Sequence, residues 1–440
     1  MDADELQAVR ERLEDFAADV FTPLARSDQR DKGATYLRGL LLDGRRKSMQ
    51  PMAQRLGVDH QGLQQFVSSS TWDVAPVRAR LAARAVDVVH PDAWVIDDTG
   101  FPKDGTASPG VARQYSGTLG KVGNCQIAVS VHAATDTASA PLDWRLFLPT
   151  KWDPAHADNE GAAEQVRQRR RRAAIPDEVA HKPKWQLALD MIDELAVWGQ
   201  TPPVVCADAG YGNNGDFRHG LATRGLTYIT QVEDDLTAYP IDAVPTKKPY
   251  AGVGSYPLPR YRDSPTPLHQ HIAAAGADRS GWQQVSWREG SRGTMSGYFT
   301  AIRVRPAGRK HTHRLNPDGS LDPAWLLVQW PTPDQHGDQH GDQHGDQHGD
   351  QVGQQLPAEP VKYWLSNLPE DTPIAELVRL GKIRWRIEHD YRELKEALGL
   401  DHFEGRTWNG WHRHVTLVTA AHLFATTLRA DPDPKLPGAA

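Results

Sequence analysis

The sequence predicts an α/β protein with a helical N-terminal segment, a mixed-sheet core and a β-rich insertion. Three observations carry this reading. Residues 3–90 show helical periodicity without strand alternation, and apolar runs at 94–96 and 203–207 each end in a carboxylate, as short buried strands do. About 180 residues then separate Asp208 from the charged helix around Glu388, far more than one crossover needs.

In chain order, Leu6, Val9, Leu13 and Phe16 mark the first helix by their spacing. Residues 49–66 read as helix, Gly turn, helix, with Asp59 as N-cap of the second. A helix-turn-helix would direct Gln61, Gln64 and Gln65 toward DNA, although similar helix pairs also occur in bundles that bind nothing. A helical DNA-binding domain is therefore assigned to residues 1–90.

The first part of the core is assigned to 91–235. Strands are expected at 94–96, ending in Asp97-Asp98-Thr99-Gly100 as a Gly-containing turn, at 125–132, and at 142–148, where Pro149 ends the run. An amphipathic helix at 184–198 leads into the strand before Asp208-Ala209-Gly210, and another strand follows at 226–232. Segments 282–287, 297–304 and 325–330 look like strands rich in Trp and Tyr, giving an insertion domain over 236–360. Within it, a four-residue unit beginning Asp334-Gln335-His336-Gly337 repeats through 334–351. That tract reads as a disordered expansion more readily than as a metal site. Core residues resume at 361–428, with Asp371 or Thr372 and Pro373 opening the helix that carries Glu388, and a last helix from Trp408 to Leu428. Residues 429–440 are expected to form a flexible tail.

The late helix holds Arg384, Glu388 and Lys395 at spacings that place all three near one face. Such a run is usually a solvated charged face. With Asp98 and Asp208 at strand ends, it also supplies the third acid that two-metal phosphoryl transfer requires. Carboxylate oxygens suit Mg²⁺ or Mn²⁺. His389 and Asp390 are alternative ligands, and Asp97 a supporting carboxylate.

With these motifs the chain resembles the DDE-type transposases of bacterial insertion sequences, which have an RNase H-like core. The strand and helix order fits that core. The nearest likeness is to the cut-and-paste branch with a Tyr-x2-Arg-x3-Glu-x6-Lys signature, matched by Arg384, Glu388 and Lys395. Its Tyr position falls on Gly381, a departure, so the role of that Tyr is either absent here or supplied elsewhere, with Tyr391 as a candidate. Segments 101–103, 110–115 and 399–406 resemble one insertion-sequence subgroup, and the likeness covers roughly residues 30–425. The resemblance implies Asp98, Asp208 and Glu388 as catalytic ligands of two Mg²⁺ ions, with Mn²⁺ able to substitute. Double-stranded DNA is implied as substrate, namely terminal inverted repeats and a target, along with a homodimer in the DNA-bound complex. DNA phosphates are assigned to Arg384, Lys395, Arg392, Arg113 and Lys121. In relatives the insertion lies over the DNA end. Trp287, Tyr298 or Trp330 could stack on a base there, or serve as core.

At 440 residues the chain exceeds one typical core. Cys125 and Cys206 lie in apolar runs and read as free buried thiols of a reducing compartment. No apolar stretch approaches ~20 residues, so no membrane span is expected. The acidic first residues lack a signal-peptide pattern. A cytoplasmic protein, nucleoid-associated when DNA-bound, follows. The formal charge of −6 does not itself suggest a DNA partner. Three basic clusters do: Arg45 to Lys47; Arg167 with Arg169 to Arg172; and Arg303, Arg305, Arg309 and Lys310 beside His311 and His313. Competing readings are a domesticated derivative that binds or nicks DNA, a metal-dependent phosphoesterase for a small substrate, and a non-enzymatic regulator using the N-terminal helices alone.

Overall fold

The computed structural model describes residues 3–250, 252–274, 281–290, 293–308, 315–330 and 362–430. The His-rich repeat, the tail from residue 431, and Arg309, Lys310, His311 and His313 lie outside the described residues.

Five helices come first: α1 (Ala3–Val20), α2 (Ser27–Leu41), α3 (Met49–Leu56), α4 (His60–Ser68) and α5 (Ala75–Val89). Next are β1 (Ala93–Pro102), β2 (Ala112–Ser116), β3 (Lys121–Ala134), β4 (Ser139–Leu146), α6 (Glu160–Arg172) and α7 (Lys184–Val197). There follow β5 (Val205–Ala207), α8 (Ala209–Gly212), α9 (Gly215–Thr223), β6 (Tyr228–Val232), β7 (Thr237–Pro240), β8 (Thr266–Pro267) and α10 (Leu268–Ala274). The chain continues through β9 (Gln283–Gly290), β10 (Gly293–Pro306), β11 (Ala324–Trp330), β12 (Lys362–Ser366), α11 (Ile374–Lys382), α12 (Trp385–Glu396) and α13 (Trp408–Ala430). These form two compact units, Met1–Pro202 with Trp385–Ala440, and Pro203–Arg384. Both are α/β, and parallel and antiparallel pairings occur, consistent with an RNase H-like core. No described helix is long and apolar enough to cross a membrane.

In the first unit, β3 pairs antiparallel with β1, β2 and β4. Helix α13 packs against α2, α4, α5 and β4, and every residue from 410 to 424 is buried. A helix enclosed on all sides must satisfy its polar side chains internally. His414 Nδ1 meets Tyr36 Oη at 3.0 Å. Arg413 donates to Trp72 O and Val67 O. Thr416 and Thr419 accept from Arg78 and from the Trp144 indole. The helix pair at 49–68 forms as the sequence indicates. Gly57 closes α3 in the left-handed region at φ 66°, and the Asp59 carboxylate accepts from Gly62 N.

In the second unit, β5 runs parallel to β6, and β12, β11, β10 and β7 extend the sheet antiparallel from there. Its core gathers Val232, Ala238, Leu268, Val304, Leu326, Val328 and Leu365. The three expected insertion strands are present as β9, β10 and β11, and through β12 they join the same sheet as β5 and β6. Their aromatics are partly packed. Trp287 stands edge-on to Phe299, Trp330 edge-on to Trp282, and Tyr298 remains 41% exposed.

Two local expectations are corrected. The strand before Asp98 does not end in a turn, since β1 stays paired with β3 through Asp98↔Val129, Gly100↔Ile127 and Pro102↔Cys125. Gly100 serves close approach instead, because a Cβ there would run into the Ser116 side chain. Nor does one helix run from Pro373 through Glu388. Helix α11 ends at Lys382, buried Ile383 closes it with a bond to Leu380 O, and α12 restarts at Trp385. Arg384 therefore lies in the break and not on the helix that carries Glu388.

Candidate active site

Residues Ala93 to Ile96 are fully buried, so β1 is covered on both faces there, and Asp98 lies half-buried beyond them. Asp97 is 8% exposed and accepts from Asp98 N at 2.7 Å. Asp98 Oδ2 receives Lys184 Nζ, from the first residue of α7, at 2.7 Å. Lys184 was not legible as a partner in the sequence, being 86 residues away with no spacing rule to connect them.

Helix α12 buries Ile387, Asp390 and Leu394 and leaves Glu388, His389 and Arg392 exposed. Asp390 is thereby committed to the interior. Its carboxylate meets His132 Nδ1 at 2.9 Å and accepts from Ser139 Oγ at 2.6 Å, with His422 Nε2 at 3.7 Å. Burial raises its pKa, but the two histidines and the hydrogen bonds outweigh this and hold it at about 2. Across the ring, His132 Nε2 meets Ser130 Oγ at 3.1 Å, and Ser130 meets Tyr391 Oη at 2.7 Å. This Tyr391–Ser130–His132–Asp390 chain docks α12 on β3. As a spare metal ligand, Asp390 is excluded by these contacts.

Lys395 closes the same helix onto β1. Its Nζ donates to Gly100 O at 2.9 Å and to Thr118 Oγ1 at 3.0 Å. Burial pushes its pKa down to about 8. The subgroup-like stretches also meet, since Lys103 Nζ donates to Phe403 O at 2.9 Å.

Asp208 belongs to the second unit. It follows β5 and caps α8, accepting from Tyr211 N at 3.3 Å. Gly212 permits the close packing of α8 on β6, because a Cβ would fall on Gln231 O. Gly381, at the signature's Tyr position, packs toward Ile229, Trp364 and Leu327, which a Cβ there would meet at 3.4, 3.5 and 3.6 Å.

Of the expected DNA contacts, Gln61, Gln64, Gln65, Arg113, Lys121 and Arg392 are exposed, and Arg384 is half-buried. The basic clusters are less available than their composition suggests. Arg170 is 5% exposed and donates to Trp152 O, Pro176 O and Val179 O. Arg167 and Arg171 pair with Glu164, and Arg169 lies over the Trp152 ring at 3.8 Å. Lys47 is buried and donates to Leu42 O, while Arg305 donates to Ile241 O and Leu321 O. A run of cations marks a surface only when its members lack carbonyls and carboxylates to satisfy inside the fold.

Among the described residues, no group of three or more His, Cys, Asp or Glu is gathered closely enough to hold a metal ion. The fit to a divalent cation rests on donor chemistry. Asp98, Asp208 and Glu388 offer hard oxygens, and Asp98 Oδ2 already accommodates a cation, the Lys184 ammonium. A cavity of about 530 Å³ in the first unit, lined by Trp72, Arg78, Arg145, Glu194, Trp408 and His412, includes none of these acids.

Comparison with known proteins places these residues in context. The family model for DDE superfamily endonucleases matches residues 19–294, and that for the transposase DDE domain matches residues 179–424. Over 201 residues the chain is 29% identical to the probable transposase for insertion sequence element IS701 of Microchaete diplosiphon. That stretch is 45% of this chain and 47% of the relative, so the chain spans about half the length of that curated protein.

Proposed function

The chain belongs to the DDE superfamily of transposase endonucleases, and from that premise we propose that it cuts DNA at the ends of an insertion sequence and joins them to a target. One observation carries the assignment to this chain's own residues. The Lys395 ammonium binds the Gly100 carbonyl, drawing α12, with Glu388 on its first turn, onto the strand that bears Asp98. One signature position, Lys395, thus meets the strand of the first acid.

In this reading Asp98, Asp208 and Glu388 would hold two Mg²⁺ ions, with Mn²⁺ able to replace them. When bound, the ions supply positive charge to the phosphate under attack and to the attacking and leaving oxygens. The protein's remaining task is to place DNA. Exposed Arg392, Arg113 and Lys121 neutralise phosphates, Arg384 and Lys395 grip the backbone beside the cut, and Gln61, Gln64 and Gln65 on α4 face base edges. Residues 1–90 serve as the DNA-binding part, 91–235 and 361–428 as the catalytic core, and 236–360 as the insertion over the DNA end. Excision and reinsertion follow a cut-and-paste course in the bacterial cytoplasm, on the nucleoid, with two copies bringing two ends together.

The test is strand cleavage of a DNA fragment carrying the element's ends, with Mg²⁺ present. Asp208→Ala and Glu388→Ala are expected to lose about a hundred- to thousandfold or more in rate while still binding DNA. Near-normal cleavage by either folded variant sinks the assignment.

A further inference from the structure

Lys184 stands at the first position of α7, behind Pro183, and reaches β1 to set Nζ 2.7 Å from Asp98 Oδ2. Neither side chain is free in water, the pair being 32% and 24% exposed. The ammonium also lies 5.9 Å from the centre of the Phe147 ring, so its stem crosses apolar surface before meeting the carboxylate. Its neighbour Lys182 is occupied separately, with Asp190 at 2.6 Å. Of these two lysines at the start of α7, then, one serves the helix and the other serves the proposed ligand.

An ammonium on a carboxylate oxygen fills the place of a cation. It orients Asp98, and it takes up a lone pair that an incoming divalent ion needs. We infer that Lys184 is a built-in competitor for the cation position at Asp98, a counter-ion that a divalent metal must displace. The inference rests on the reading of Asp98 as a metal ligand. Physically, the exchange is an accessible one. Lysine carries a single compact charge on a flexible four-carbon stem, and a partly exposed ion pair is weak enough to open. The lysine then sets a threshold, so that metal occupancy at Asp98 depends on overcoming a charge already in place. It is a positioning residue for the carboxylate and touches no reacting atom.

The test is Mn²⁺ titration of the full chain without DNA, read by the loss of the free-ion electron paramagnetic resonance signal. Lys184→Met is expected to tighten Mn²⁺ binding about three- to tenfold, the size of losing one partly screened competitor. Lys184→Arg keeps the competitor, and Lys182→Met, which breaks the neighbouring Lys182–Asp190 pair, leaves binding unchanged. Thermal melting gives a second reading: Mn²⁺ should raise the melting temperature of Lys184→Met more than that of the unaltered protein. If Asp98→Asn weakens Mn²⁺ binding while Lys184→Met leaves it unaltered, the competitor role is overturned and Asp98 stands as ligand. If Asp98→Asn also binds Mn²⁺ normally, the ligand reading fails and the inference goes with it.

Discussion

Lys395 Nζ and the Gly100 carbonyl, 295 residues apart in sequence, lie 2.9 Å from each other and join the last turn of α12 to β1. This bond has a pH signature. Burial lowers the Lys395 pKa from 10.5 to about 8. Between those values the unfolded chain holds more protons than the folded one, so stability rises with pH across that window, and the buried charge is a cost below it. Lys395→Met should remove this rise. Urea unfolding of both proteins at neutral and at alkaline pH would decide the matter, and parallel pH dependence would contradict it.

The buried Asp390 carboxylate makes a corresponding prediction in acid. Its folded pKa of about 2 lies below the ordinary 3.8, so its contribution is complete above the ordinary value and disappears as pH falls through about 2. Asp390→Asn leaves His132 and Ser139 facing a neutral amide and should lower stability by about 3 kcal/mol near neutrality, as for a broken buried pair. Its stability should also vary less between roughly pH 4 and pH 2. An acid titration followed by circular dichroism tests both, and a variant as stable as the parent at pH 7 refutes them.

At Gly212 the limit is steric. Alanine there would press its Cβ into Gln231 O and lie 3.0 Å from Thr230 Cβ. Gly212→Ala should cost about 1–3 kcal/mol, the usual range for overpacking. Since α8 is capped by Asp208, cleavage should fall further than DNA affinity. Equal losses in the two assays would show that the helix position has no bearing on the reaction.

Two kinds of polar residue separate in a DNA-binding assay. Arg170→Met strands three backbone carbonyls and should destabilise the protein by about 2–4 kcal/mol without changing the salt dependence of DNA affinity. Gln64→Ala with Gln65→Ala should do the reverse, leaving the melting temperature nearly unchanged and weakening DNA binding. Fluorescence anisotropy across a salt series, beside thermal melts, distinguishes them. A steeper fall in affinity for Arg170→Met than for the glutamine pair would return that cluster to the DNA surface.

Local features were largely legible. The Gly57 turn, the Asp59 cap, α7 and the strands β9 to β11 follow from turn chemistry and periodicity, which act over a few residues. The likeness expected over residues 30–425 agrees with family matches that together run from 19 to 424. What stayed hidden depends on partners distant in sequence. Lys184 finds Asp98 across 86 residues, and Asp390 finds His132 across 258. The α11–α12 break lies in an uninterrupted helical pattern, with buried Ile383 as the cap of α11. The inward turn of Arg170 and Lys47 was invisible for the same reason, because composition does not reveal which carbonyls are short of donors.

The enclosure of α13 orders events during synthesis. The Tyr36–His414 bond joins residues 378 positions apart, so α2, α4 and α5 cannot cover their apolar faces until translation has passed residue 424. For most of its time on the ribosome the nascent polypeptide carries an unfinished bundle, the kind of exposed surface that chaperones guard. Completion of the first unit is therefore tied to α13, and a chain ending before that helix would leave bare the faces of α2, α4 and α5 that it covers.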